Sequence, residues 1–142
     1  MCRKIGCMAV AVFCVLLAAC GGDSPERVVE RFYDEVGSAQ AMTNDEAWAR
    51  ADELLAEYFV AEERDASSTR ELIGLMVAMA PYTEYRDMDY AVEASDSDEA
   101  MVRVTGTLVM TVQGASQQED LDMRFPMRLV DGRWRIDAVT VH

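Results

Sequence analysis

At Pro81 the spacing of the apolar residues changes period, and that change limits the chain to very few architectures. Ahead of Pro81 they recur at helical spacing, and beyond it they alternate as strands do. Ser24-Pro25-Glu26 reads as a helix start: a capping hydroxyl, a proline suited to the first turn, and an acid at the positive end of the dipole. Val28, Val29, Phe32, Tyr33 and Val36 then form one apolar stripe, and Gly37 is a natural stop, so a first helix is predicted over residues 25–36. Thr43-Asn44 caps a second helix, whose stripe is Trp48, Ala51, Leu54, Leu55, Tyr58 and Phe59. The polar run Glu62 to Ser68 reads as a loop. Thr69 opens a third helix carrying Leu72, Ile73, Met76, Val77 and Ala80, and Pro81 ends it.

Beyond Pro81, Met88, Tyr90 and Val92 alternate with polar residues, as do Val102, Val104, Leu108, Met110 and Val112. Leu121, Met123, Phe125, Met127 and Leu129 follow, then Trp134, Ile136 and Ala138. Turns are predicted at Ser95 to Asp98, at Gln113 to Gln118 and at the hairpin pair Asp131-Gly132. The expected fold is α+β: three N-terminal helices packed on a curved, four-stranded antiparallel sheet whose apolar face they cover. Gly106 and Pro126 fall inside strands and imply bulges or sharp curvature.

Residues 1–19 read differently. Arg3 and Lys4 precede an apolar run, Ile5 to Leu16, that is short for a membrane span. Leu17-Ala18-Ala19-Cys20 follows and resembles the lipobox of bacterial lipoproteins. The resemblance implies cleavage before Cys20 and a diacylglycerol on its thiol. The chain then divides into a signal peptide at 1–19, a lipidated tether at 20–24 and a single domain at 25–142. Gly21, in place of the aspartate that retains many lipoproteins at the inner membrane, implies the periplasmic face of the outer membrane. All four cysteines (Cys2, Cys7, Cys14 and Cys20) lie in or at the end of this segment, so the mature domain has no disulfide and no thiol nucleophile. Loss of Arg3 and Lys4 leaves 11 basic residues, all arginine, against 26 acidic ones, a formal charge of −15. Such acidity excludes nucleic acid as a partner and argues against a basic face for anionic headgroups.

The run Ser24-Pro25-Glu26-Arg27-Val28-Val29-Glu30-Arg31-Phe32-Tyr33, with Leu129-Val130-Asp131-Gly132-Arg133-Trp134-Arg135-Ile136 at the far end, resembles the nuclear transport factor 2-like superfamily. Within it the chain is most similar to small lipoproteins of unassigned role. The resemblance implies a cone-shaped fold that serves either as an enzyme with a cavity inside the cone or as a binding and assembly module that pairs through its sheet. The ketosteroid isomerase pattern in that superfamily needs a tyrosine on the first helix, an aspartate after the second and an acid on a middle strand. Tyr33 fits the first place. Phe59-Val60-Ala61-Glu62-Glu63 offers no aspartate before Asp65, and Met101 to Val112 carries no acid.

Other chemistries fail on residue supply. The sole histidine is His142, so neither a Ser-His-Asp set nor a histidine zinc site can be assembled. No glycine-rich phosphate loop with its lysine occurs. Asp96-Ser97-Asp98-Glu99 lacks the loop of a calcium hand and reads as a solvated turn. The methionines alternate as core residues do. No catalytic residue, metal or cofactor is therefore expected. Tyr33 and Trp48 are the candidates to line a cavity in the cone. The expected partners are the membrane, through the lipid on Cys20, and an envelope protein or a second copy meeting the sheet face of Arg103, Thr105, Thr107 and Thr111. The expected role is a non-catalytic binding or assembly module. The alternative is a small-molecule binder, or a cryptic enzyme, using the cone cavity.

Overall fold

The computed structural model describes residues 22–40, 42–138 and 140–141, the last two by backbone alone. Cys20, the signal segment and His142 lie outside the described residues.

Helix α1 runs Pro25–Gly37 and buries Val28, Val29, Phe32, Tyr33 and Val36, the stripe its spacing predicts. Ser24 precedes it, but its hydroxyl donates to Glu26 Oε1 at 2.7 Å and caps no backbone N–H. Helix α2, Asn44–Tyr58, has a full capping box: the Glu46 amide donates to Thr43 Oγ1 and the Thr43 amide to Glu46 Oε2 at 2.7 Å. The expected loop at 62–68 contains a one-turn helix, α3, Ala61–Arg64. Val60 is pinned in extended form, its amide donating to Ile136 O at 3.0 Å. The good helix formers that follow then wind once, acids first and Arg64 last, as the dipole favours. Helix α4, Ser67–Met79, starts two residues before Thr69. Thr69 thus lies within the helix, buried, its hydroxyl donating to Glu63 Oε2 at 2.6 Å. Pro81 sits in a 3₁₀ turn, Ala80–Tyr82.

Strands β1 (Thr83–Ser95), β2 (Glu99–Val112), β3 (Ala115–Val130) and β4 (Arg133–Ile136) form one antiparallel sheet in the order β1-β2-β3-β4. A two-residue strand, β5 (Thr140–Val141), pairs with β3 beyond β4. The second turn is only Gln113-Gly114, with φ of 52° and 82°, the left-handed pair that a two-residue hairpin needs. Ala115 to Gln118, expected in that turn, belongs to β3, and it lacks alternation because every residue from Thr111 to Asp120 is exposed. Val112, 50% exposed, lies on this uncovered tip, and Val92, 41% exposed, beside an irregularity in the β1–β2 ladder.

Gly106 lies opposite an irregularity, as expected, whereas at Pro126 the ladder with β2 runs on unbroken. Between Arg86 and Asp89 the β1 ladder has an extra residue opposite Gly106, with Asp87 at φ 51°. A Cβ on Gly106 would lie 2.6 Å from Met88 Sδ and 2.9 Å from Arg86 O, so only glycine fits beneath the bulge. Pro126 O accepts from the Asp137 amide at 2.8 Å. The nitrogen of Pro126 therefore faces the same side, where β4 has ended and β5 has not begun, and its missing N–H costs no ladder bond.

The core lies between helices and sheet: Phe32, Phe59, Phe125, Val102, Val104, Met127 and Ile136 are all at most 2% exposed. The opposite sheet face is polar. Arg103 reaches Asp122 at 2.7 Å and Arg124 reaches Glu93 at 2.9 Å.

Candidate functional site

Tyr33 is the centre of the interior. Its ring meets Phe32, Tyr85 and Phe125 edge-on, with centroids 5.7, 5.2 and 5.9 Å away, and Tyr90 at a tilt at 6.1 Å. Its hydroxyl donates to the sulfur of Met123 at 3.4 Å, a weak acceptor. Burial pushes its pKa far above the usual phenol range, and Tyr85 and Tyr90 add to the rise. The hydroxyl therefore stays protonated at any physiological pH. Among the described residues Thr69 is the only buried polar one, so no carboxylate stands in the interior beside Tyr33. Aromatic rings and aliphatic side chains pack around Tyr33.

Trp48 is elsewhere. It packs on Gly74 of α4, where an added Cβ would come within 2.6 Å of its Cε3, and Arg70 lies over its ring at 5.1 Å. It borders a shallow hollow on the outside of the α2–α4 pair with Ala47, Leu75 and Ala78. The two aromatics singled out from the sequence therefore line different surfaces. Helical spacing places a residue on a stripe, and the neighbour that stripe meets is decided by packing.

Two further hollows border α1. The first, of about 340 Å³, lies where the chain enters the domain and is lined by Gly22, Asp23, Arg31, Tyr58, Arg133, Trp134 and Arg135. Its cations are largely engaged: Arg31 pairs with Asp23, and Arg135 Nη1 donates to Glu57 O at 2.6 Å and Ala56 O at 3.1 Å at the end of α2. The second, of about 530 Å³, is an open groove between α1 and the start of β1. Its floor is Tyr33, Tyr85, Tyr90 and Met88, and its rim carries Glu30, Asp34 and Glu84. Burial raises the pKa of Tyr85, and burial with the nearby Asp34 and Glu30 raises that of Tyr90. The sequence reading found Tyr33 and missed the rest of this groove. One signal was present: Glu30, Tyr33, Asp34 and Gly37 share one face of a helix, with like charges four apart.

The remaining sequence candidates resolve as follows. Asp96 Oδ1 accepts from the amides of Asp98 at 3.2 Å and Glu99 at 3.1 Å, a self-contained turn that holds its carboxyl below the usual range. Among the described residues no three His, Cys, Asp or Glu side chains are grouped to hold a metal, and no helix is long and apolar enough to cross a membrane. Arg103 is tied to Asp122, and Thr111 shares a 2.8 Å hydrogen bond with Ser116 across the hairpin. Glu35 is held by Arg50 and Tyr58, each at 2.6 Å, which joins α1 to α2.

No protein-family profile matches the chain, and no curated protein matches it. Among solved structures it is similar to a SEC-C motif containing protein from Rhodopseudomonas palustris, at a TM-score of 0.54 and 15% identity, over 84% of this chain and 79% of that one. That likeness shows a shared fold. A protein from Xanthomonas campestris described as a calcium/calmodulin dependent protein kinase II association domain aligns at a TM-score of 0.47 and 19% identity, over 80% of this chain and 84% of that one. At that score it carries no argument.

Proposed function

We propose that the chain is an exported lipoprotein of the cell envelope, of nuclear transport factor 2-like fold, that acts by binding and not by catalysis. The observation that carries the second half is the state of the interior. Tyr33, the one side chain that fits the isomerase pattern, is buried among aromatic rings and hydrogen-bonded to a thioether, and among the described residues no carboxylate is hydrogen-bonded to it. Proton transfer needs an acid or base within hydrogen-bond reach of the reacting group, and no buried carboxylate among the described residues supplies one there. The first half rests on Leu17-Ala18-Ala19-Cys20 and the charged, apolar segment ahead of it. The domain starts at Pro25, so a tether of about four residues holds it against the lipid surface. Its place is then the periplasmic face of the outer membrane, within reach of an envelope protein or a second copy.

The test is metabolic acyl labelling of the full chain beside its Cys20→Ala variant. The expected result is label on the wild type and none on the variant. Equal labelling of both would refute the lipid anchor. Cross-linking in intact envelopes tests the assembly role: a reproducible partner supports it, and recovery of the chain alone in repeated trials counts against it.

A further inference from the structure

We propose that the groove between α1 and β1 binds an organic ammonium ion, a cationic nitrogen carrying alkyl groups, against the half-buried rings of Tyr85 and Tyr90. This deepens the binding reading above and does not depend on the lipid anchor.

The floor of the groove is aromatic. Tyr33 lies buried beneath it, meeting Tyr85 edge-on at 5.2 Å and Tyr90 at a tilt at 6.1 Å, so it packs and positions the two partly exposed rings. Partly exposed tyrosine rings beside acidic groups are the surroundings in which alkylated ammonium groups are recognised. Met88, swung inward by the β1 bulge, adds a polarisable thioether to the same floor. Tyr85 packs beside Gly37, with its Cδ2 at ordinary contact distance, 3.7 Å, from where a Cβ would stand.

Three sources of negative potential meet above that floor. Glu30 and Asp34 lie one helical turn apart on the stripe that holds Tyr33, both exposed, and among the described residues neither has an arginine within ion-pair distance. Arg31, three residues before Asp34, is turned to Asp23 instead. Glu84 differs, because Arg86 holds it at 2.6 Å. The third source is the C-terminal end of α1, whose last turn has no basic residue of its own, although Glu35 in that turn is paired with Arg50. A cation is favoured at such an end. Helix α2 shows the complement supplied from within, since Arg135 donates to its last carbonyls. Among the described residues no cation reaches the last carbonyls of α1, which accept instead from neutral donors, the Ser38 amide and hydroxyl and the Ala39 amide, and this end borders the groove through Gly37 and Ser38.

These features discriminate among ligands. An anion would meet Glu30, Asp34 and a helix C-terminus. A bare metal ion would find no three-carboxylate cluster. A neutral apolar molecule would cover the tyrosines and leave the rim charges uncompensated. An alkylated ammonium satisfies floor and rim together, and the chain's net negative charge draws it in.

The test is calorimetric titration of choline into the full mature lipoprotein in a sugar-based detergent, with 3,3-dimethylbutan-1-ol as the uncharged analogue of the same shape. The expected result is saturable choline binding in roughly the millimolar range, at least about tenfold weaker for the analogue and for the Tyr85→Leu and Asp34→Asn variants. Tyr85→Phe keeps the ring and is expected to bind as the wild type does. Asp34 is exposed, so its variant tests charge without touching the core. Absence of saturable choline binding, equal binding of the analogue, or unchanged affinity in Asp34→Asn would each overturn the proposal. None of these outcomes alters the acyl-labelling result, so the two readings fail separately.

Discussion

Gly106→Ala isolates the bend in the sheet. The added methyl would lie 2.6 Å from Met88 Sδ, 2.9 Å from Arg86 O and 3.3 Å from Met88 Cα, where carbon contacts settle at about 3.5–4.0 Å. The sulfur can swing aside. The carbonyl oxygen cannot, because it belongs to the bulge that pairs β1 with β2, so the two strands must part locally by several tenths of an ångström. Such overpacking costs about 1–3 kcal/mol. Alanine in a strand recovers about 0.5–1 kcal/mol of that through the unfolded chain. The net loss is about 1–2 kcal/mol, which for a domain of this size lowers Tm by roughly 4–8 °C. Thermal unfolding of the full chain followed by circular dichroism reads this directly. A second variant, Gly106→Ala with Met88→Ala, removes the sulfur contact and keeps the carbonyl contact, so part of the deficit from Gly106→Ala persists against Met88→Ala alone. A Gly106→Ala melting point equal to or above that of the wild type would refute the reasoning. Complete relief in the Met88→Ala background would refute its backbone half.

Two further outcomes follow from the helical layer. Phe32 is fully buried with the rings of Tyr33, Tyr58 and Phe59 at 5.7, 5.7 and 5.6 Å, so Phe32→Ala is expected to lose about 3–5 kcal/mol in denaturant unfolding. A loss below about 1 kcal/mol would show that the ring cluster is not the keystone of the core. Thr43→Ala removes one half of the α2 capping box, at a cost of about 1 kcal/mol at neutral pH. The backbone N–H and hydroxyl of Thr43 hold the Glu46 carboxyl below its ordinary value of 4.5. A lowered folded pKa means that this contribution is present above the ordinary value and is lost as pH falls through the folded one. The gap in Tm between wild type and Thr43→Ala should therefore narrow in acid as the Thr43 hydroxyl loses the Glu46 carboxylate, while the part owed to the Glu46 amide on that hydroxyl persists, and a gap independent of pH would contradict the hydroxyl–carboxylate bond.

Much of this fold is written locally. The apolar stripe of α1 appears in the buried face residue for residue, because a 3.6-residue period needs only one partner surface to be realised. The Asp131-Gly132 turn is equally local, both residues adopting the positive φ that the hairpin requires. Local pattern also pointed to the irregularity opposite Gly106, but not to the unbroken ladder through Pro126. It failed at Ala61–Arg64, where a helical turn forms because Ile136, 76 positions beyond Val60, pins the residue before it. It failed again at Ala115–Gln118, since a strand exposed on both faces carries no alternation to read.

The candidate site divides along the same line. The sequence by itself determined an acidic chain poor in nucleophiles and histidine, with a lipobox-like run ahead of a helical half and a stranded half. Those are properties of composition and of neighbours within about a turn. Tertiary packing set Tyr33 beside Tyr85 and Tyr90, Trp48 away against Gly74, and Arg135 on the last carbonyls of α2, while α1 is closed by the nearby Ser38 and Ala39. The first three contacts join residues tens of positions apart, through helix on sheet or helix on helix. Spacing along a chain fixes which face a side chain occupies, and packing fixes what that face meets.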